Sequence, residues 1–296
     1  MIKVILRGGL GNQMFQYAAG LAVAKRNNDR VVLDATYLND RFPRRQFTYR
    51  HYDLDVFAIE PVFARLSNIS EQIPLPGVWL GADLALAMAE DRFGTRFIKE
   101  RKAYVFDPDV FRAGPRGAVL WGFWQNPRYF KDIEEGVRSA FTFREPLAGE
   151  AARIAGEITN TNSVAIHVRR GDYTLPKYRG TYGDTNTAYY RDAIDRIRGR
   201  VKDPVFFVFS DDPGWCRENL KIEGSVTYLD RSSAGPKDAF HLRLMSLCKH
   251  NIIANSTFSW WGAWLNRNPE KTVVAPEKWY VDSAGNDFIP TDWIKL

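Results

Sequence analysis

The stretch Ser163-Val164-Ala165-Ile166-His167-Val168-Arg169-Arg170-Gly171-Asp172-Tyr173 decides the fold. Its first half is a short apolar run rich in β-branched residues, which predicts a buried strand. Gly171-Asp172 predicts the turn that ends it. A histidine and two adjacent guanidinium groups are thereby placed where a strand opens into a loop. Open α/β sheets bind ligands at the carboxyl ends of their strands, and arginine suits planar, two-pronged contact with phosphate. The stretch reads as a diphosphate clamp or as a surface arginine pair bonded to nearby carboxylates.

Outward from it, the second half of the chain alternates strands and helices. Pro204 to Phe209 predicts a strong buried strand that ends in Ser210-Asp211-Asp212. Val226 to Leu229, Asn251 to Ala254 and Thr272 to Ala275 predict further strands. Tyr189, Tyr190, Ala193, Ile194 and Ile197 recur at helical spacing, and Phe240, Leu244, Leu247 and Cys248 do so within Ala239 to Cys248. Such alternation means βαβ units and a parallel sheet. Asn255-Ser256-Thr257-Phe258 follows a strand and opens a helix whose Trp260, Trp261 and Trp264 read as core. Its hydroxyls either cap the helix or, with the free amides of the first turn, face an anion. An acid at Asp211 or Asp212 could accept from a nucleobase amine or a ribose hydroxyl.

The first half opens the same way. Lys3 to Leu6 predicts a strand and Met14 to Lys25 a helix, joined by Gly8-Gly9-Leu10-Gly11-Asn12-Gln13; Arg30 to Leu33 predicts the next strand. The glycine loop brings backbone amides close to a ligand. Gly9-x-Gly11 with Asp34 imitates a dinucleotide fingerprint, so an NAD-dependent oxidoreductase is the alternative reading, although Met14 occupies the third glycine position. Residues 36–60 read as mixed, with a solvated basic cluster. Residues 61–116 carry few signals beyond a helical stretch at Leu84 to Met88, and an insertion of this kind carries specificity. Val119 to Gln125 predicts an apolar strand, Tyr129 to Phe141 a helix, and Gly149 to Thr159 a helix leading into the second domain. Two domains are expected, 1–155 and 156–296.

Composition excludes several classes. The chain has 296 residues, and its 41 basic residues against 35 acidic ones make no nucleic-acid footprint. Cys216 and Cys248 have neither disulfide nor zinc spacing. No apolar run reaches a membrane span, and no basic leader with a cleavage site opens the chain, so a cytoplasmic enzyme is expected. Arginines and a helix start can stabilise a diphosphate leaving group as a divalent cation would; no metal ligands converge in the sequence.

Gly8 to Tyr17, Gly122-Phe123-Trp124-Gln125, His167 to Tyr173 and Asn255 to Trp264 together resemble the signatures of the bacterial-type α-1,2-fucosyltransferases, glycosyltransferase family 11. The resemblance runs from end to end, with residues 36–116 outside its motifs. It implies a GT-B fold: two Rossmann-like domains with parallel sheets, the first on the acceptor side, the second binding donor. It implies inverting transfer of L-fucose from GDP-β-L-fucose to the 2-hydroxyl of a terminal β-galactose in an oligosaccharide, without cofactor or metal. Contact with a membrane is expected where that glycan is lipid-linked, and the oligomeric state stays open. By the same likeness Arg169 contacts the β-phosphate with His167 and Arg170 beside it. Asn12, after Gly11, lies near the reacting centre, and Asn255, Ser256, Thr257 and Phe258 flank the donor. Asp172 and Asp184 are candidate general bases. Arg179-Gly180 stands where relatives often carry His-Gly.

Overall fold

The computed structural model describes the chain except residues 43–47, 74, 76, 92–93, 172–185 and 280–287. It forms two compact units, Met1–Arg144 and Glu145–Leu296.

In the first unit β1 (Ile2–Ile5) runs into α1 (Leu10–Arg26), β2 (Val31–Asp34) and the short α2 (Thr36–Asn39). Then come α3 (Arg65–Gln72), α4 (Val78–Asp91), β3 (Arg96–Lys99), β4 (Ala118–Trp121) and α5 (Glu134–Ala140). The four strands are all parallel, in the order β2-β1-β4-β3. α1 starts four residues before the expected Met14, because Gly9 serves as its N-cap. The amides of Asn12 and Gln13 are thereby spent on the Gly9 carbonyl, at 3.0 and 3.1 Å. The close approach of α1 to the sheet needs Gly20, where a Cβ would lie 2.4 Å from Val4 Cγ2. The expected helix from Tyr129 is mostly 3₁₀ turns before α5, with Pro127 opening the first of them. β3 was not expected: its Arg-Phe-Ile-Lys has little alternation, and pairing with β4 makes it a strand.

The second unit contains α6 (Gly149–Thr159), β5 (Asn162–Val168), α7 (Thr187–Arg198), β6 (Pro204–Ser210), α8 (Pro213–Asn219), β7 (Val226–Leu229), α9 (Ala239–Leu247), β8 (His250–Ile252), α10 (Thr257–Leu265), β9 (Val273–Ala275) and β10 (Ile294–Lys295). All six strands are parallel, in the order β10-β9-β8-β5-β6-β7. The division between units falls at Arg144/Glu145 and not after residue 155, since α6 packs on α9 and β5. Val164, Ile166, Tyr190, Phe206, Val208, Ile252 and Val274 form the core between sheet and helices. The five helical positions expected from Tyr189 to Ile197 are the five that α7 buries. α9 turns differently: it buries His241, Leu242, Leu244 and Met245, while Leu247 is exposed. Trp260, Trp261 and Trp264 are core.

Both sheets change strand direction of growth beside their first strand. In the second unit the switch lies between β5 and β8, in the first between β1 and β4. These are the positions at which open α/β sheets leave a crevice for ligands.

Candidate active site

In the second unit the switch point gathers the expected residues from three strand ends. His167, the last residue but one of β5, is buried, its ring 5.8 Å from that of Phe258. Two tyrosines of α7 fix the strand ends: the Tyr190 hydroxyl donates to the His167 carbonyl at 3.1 Å, and Tyr189 to the Ile253 carbonyl at 2.6 Å. Burial, reinforced by Arg169 and His241, pushes the His167 pKa down to about 3. His167 is therefore a neutral imidazole at physiological pH, and its Nδ1 has no hydrogen-bond partner among the described residues. A neutral ring can hydrogen-bond a ligand hydroxyl but brings no charge to a phosphate.

The arginine pair is locked to the acid pair. Arg169 Nη1 lies 2.9 Å from Asp211 Oδ2, and Arg170 Nε 3.1 Å from Asp212 Oδ2. Asp211 also accepts the backbone amides of Arg170 and Gly171, at 2.9 and 3.0 Å. Asp212 caps α8 through the Trp215 amide, and the Arg170 guanidinium stacks 4.0 Å over the Trp215 ring. The reading of a surface pair bonded to carboxylates is thus right about the partners. It does not remove the clamp, because Arg169 keeps 29% of its side chain exposed. Asp211 and Asp212, expected to face a base or ribose, here orient the arginines. A guanidinium held in advance costs no reorganisation when charge develops.

Across the switch, Asn255 is buried and its amide donates to the Trp279 carbonyl at 3.2 Å. Ser256 is the N-cap of α10, yet its side chain makes no capping bond. Thr257 and Phe258 begin the helix, so first-turn amides and the hydroxyls sit at the carboxyl end of β8. His241, from α9, is buried against Ser233, with Nε2 3.0 Å from the hydroxyl. Asp172 and Asp184 lie outside the described residues.

In the first unit the motif Gly8 to Tyr17 proves largely structural. Gln13 ties Gly8 and His51 carbonyls to the Asp53 amide, and Gln16 bridges the Arg7 amide to the Gly122 carbonyl. Asn12 is different: its Oδ1 accepts from Gln125 Nε2 at 2.7 Å. Gly8, at φ 75°, leaves no room for a Cβ, which would lie 2.4 Å from Asn12 Nδ2. Gln125 sits after Trp124, whose φ of 55° is unusual for a bulky residue. Glu100, at the end of β3, stabilises that corner by accepting the Phe123 and Trp124 amides at 2.8 and 3.1 Å. Burial raises the Glu100 pKa above the ordinary carboxyl value despite those amides. Neither Glu100 nor the Gln125 bond left a sequence signal, since each joins residues far apart in the chain.

The dinucleotide alternative fails here. Asp34 is fully buried, and its Oδ1 accepts the Thr36 amide and the Ser67 hydroxyl at 2.9 and 3.0 Å. Lys3 lies 3.8 Å from its other oxygen. It braces the sheet and presents no oxygen to a ribose.

Comparison with known proteins agrees with this picture. The family model described as Glycosyl transferase family 11 matches residues 115–296. The Escherichia coli O-antigen biosynthesis glycosyltransferase WbnK is 33% identical over 98% of this chain and 99% of its own length. An Escherichia coli alpha-1,2-colitosyltransferase is 32% identical over 98% and 97%. The Homo sapiens galactoside alpha-(1,2)-fucosyltransferase 1 is 30% identical over 87% of this chain, which spans 63% of that protein. The Arabidopsis thaliana FUT1 structure in complex with GDP matches with a TM-score of 0.50 and 12% identity, over 92% of this chain and 69% of that one. That likeness speaks for the fold alone, a GT-B-type α/β fold with two Rossmann-like sheets. From the relatives that match along its whole length and the family model that covers its second half, the chain belongs to glycosyltransferase family 11.

Proposed function

We propose that the protein is an inverting α-1,2-fucosyltransferase that moves L-fucose from GDP-β-L-fucose to the 2-hydroxyl of a terminal β-galactose. The observation that carries this reading is the Arg169–Arg170 pair at the carboxyl end of β5, held in advance by the acids that follow β6, in a family 11 chain. The donor diphosphate is assigned to the second unit, with Arg169 on the β-phosphate, Arg170 beside it, and the first turn of α10 with Ser256, Thr257 and Phe258 alongside. The galactose acceptor is assigned to the first unit, where Asn12 stands.

In the reaction the acceptor oxygen forms a bond to C1 as the bond from C1 to the phosphate oxygen breaks. The electron pair leaves with GDP, and the hydroxyl proton passes to a base, for which Asp172 and Asp184 are the candidates. Arg169 gains strength as a donor as charge collects on the leaving phosphate. His167, neutral, supplies a hydrogen bond. Asp211 and Asp212 keep the guanidinium planes in place. This assignment gives the leaving group its charge partners without a metal ion. Where the acceptor glycan is lipid-linked, the cytoplasmic protein works in contact with a membrane.

The colitosyltransferase among the relatives favours a second reading of the donor. Colitose is fucose without its 3-hydroxyl, so a GDP-colitose enzyme would differ only where that hydroxyl is read. Incubation with GDP-fucose or GDP-colitose and a panel of β-galactosides, with product linkage determined by NMR, tests both. An α-1,2-fucosylated product supports the first reading, transfer from GDP-colitose alone the second, and transfer from neither defeats the assignment.

A further inference from the structure

The switch point of the first unit holds an arrangement that the donor chemistry does not use. Arg7 follows β1, Trp121 ends β4 and Phe123 follows it, so these residues flank the crevice between the two strands. The Arg7 guanidinium carbon lies 4.9 Å from the ring centre of Tyr37, 5.0 Å from Trp121 and 5.1 Å from Phe123. Tyr37 and Trp121 stand edge to face, 6.4 Å apart. All four side chains are partly exposed.

Arg7 has no ion-pair partner and donates no side-chain hydrogen bond among the described residues, and its Nε is buried and unsatisfied. The acid whose charge reaches it, Glu100, makes no hydrogen bond to it and accepts the Phe123 and Trp124 amides, one on each oxygen. Stacking on three rings compensates a cation's lost hydration in part, but leaves planar N–H donors unused. Nε is a buried donor without an acceptor, which is uncommon in native proteins, and the part-exposed guanidinium can still offer its Nη hydrogens to a ligand. Aromatic walls with unspent donors suit a pyranose, whose C–H face stacks while its hydroxyls accept. The nearby Glu100 carboxyl disfavours an anionic sugar.

We propose that Arg7, walled by Tyr37, Trp121 and Phe123, binds a neutral hexose of the acceptor and sets acceptor specificity. The inference rests on the reading of the first unit as the acceptor side. Arg7→Lys keeps the cation and the ring collar but loses the planar fork. Saturation-transfer NMR and calorimetry with lactose, on GDP-saturated protein, give the affinity; kinetics with GDP-fucose give both KM values. The expected result is a ~10-fold or greater loss of lactose affinity and the same rise in acceptor KM. GDP-fucose KM should move less than about twofold, and Tm less than about 3 °C.

Unchanged lactose affinity with a lowered Tm would make Arg7 a structural pin and overturn the proposal. If Arg7→Lys fails to fold, Phe123→Leu must show the same selective loss, or the proposal falls. Wild-type protein that binds lactose but transfers no fucose refutes the donor assignment and leaves this site standing. Wild-type protein that binds sialyllactose but no neutral galactoside or glucoside refutes this site.

Discussion

The two sheets share one backbone device, a switch point beside the first strand, and the charge pairing of the arginines there separates them. At the carboxyl ends of β5 and β6, beside the switch, each arginine faces its own carboxylate, Arg169 on Asp211 and Arg170 on Asp212. At the β1/β4 switch Arg7 faces three aromatic rings. Paired guanidiniums are held in a fixed plane and suit a diphosphate, whose charge grows during reaction. A guanidinium among rings suits a neutral, partly apolar partner. Parallel strands running into loops do not choose between these uses; the side chains at the strand ends do.

The strongest blow to the comparison would come from Arg169→Lys. The charge remains and the planar fork is lost, so kcat should fall ~10²–10³-fold while GDP-fucose KM changes less, the pattern of an interaction made mainly in the transition state. A kcat near wild type in this variant would remove Arg169 from the mechanism and reduce the pair to a structural lock.

Asp211→Asn sharpens the same point. The loop amides of Arg170 and Gly171 keep one acceptor, but Arg169 loses its counter-charge. We expect ~10–100-fold lower kcat/KM for GDP-fucose, in line with about 1.5–3 kcal/mol for a charged hydrogen bond, with lactose affinity untouched. Equal losses for donor and acceptor would show that the two crevices are not separable in function.

Acid should distinguish the units by stability. His167, His241 and His250 all have pKa values lowered chiefly by burial, His167 to about 3, and all lie in the second unit. Their unfolded value is about 6.5. Between the folded and unfolded values the unfolded chain binds more protons, so stability present above about pH 6.5 is lost as pH falls, by up to ~1.4 kcal/mol per pH unit for His167. Tm measured from pH 7.5 to 4.5 should fall, and His167→Gln should flatten the slope. An unchanged slope would mean that His167 is not held neutral.

The smallest expected effect is that of chelator. If Arg169 and the start of α10 carry the leaving-group charge, excess EDTA should leave the initial rate unchanged. Abolished turnover that Mn²⁺ restores would mean that the arginines do not suffice.

Much of the second unit could be read along the chain. The continuous apolar run from Pro204 to Phe209 marks a strand buried on both faces, and the α7 positions from Tyr189 to Ile197 carry the 3.6-residue helical period. The α9 face differs from its apolar pattern because Leu247 is apolar yet exposed and Phe240 only half-buried, while His241 is buried. Periodicity weighs hydrophobicity alone and misses a polar side chain whose partner, here Ser233, makes burial tolerable. The site motifs were legible as residue types, but their division of labour was not. Gln13 and Gln16 look like ligand-binding amides and are internal braces.

The sequence by itself determined the strand–helix alternation, the family and the residues that stand at the strand ends. Those follow from local period and from motifs contained within about ten residues. Only the tertiary structure decided the order β10-β9-β8-β5-β6-β7 and β2-β1-β4-β3, and with it the location of both crevices. It alone paired Arg169 with Asp211, Asn12 with Gln125, and Arg7 with Tyr37, Trp121 and Phe123. Such pairs join segments far apart in the chain, and a hydrogen bond or ring contact across that distance leaves no period for a local reading to find.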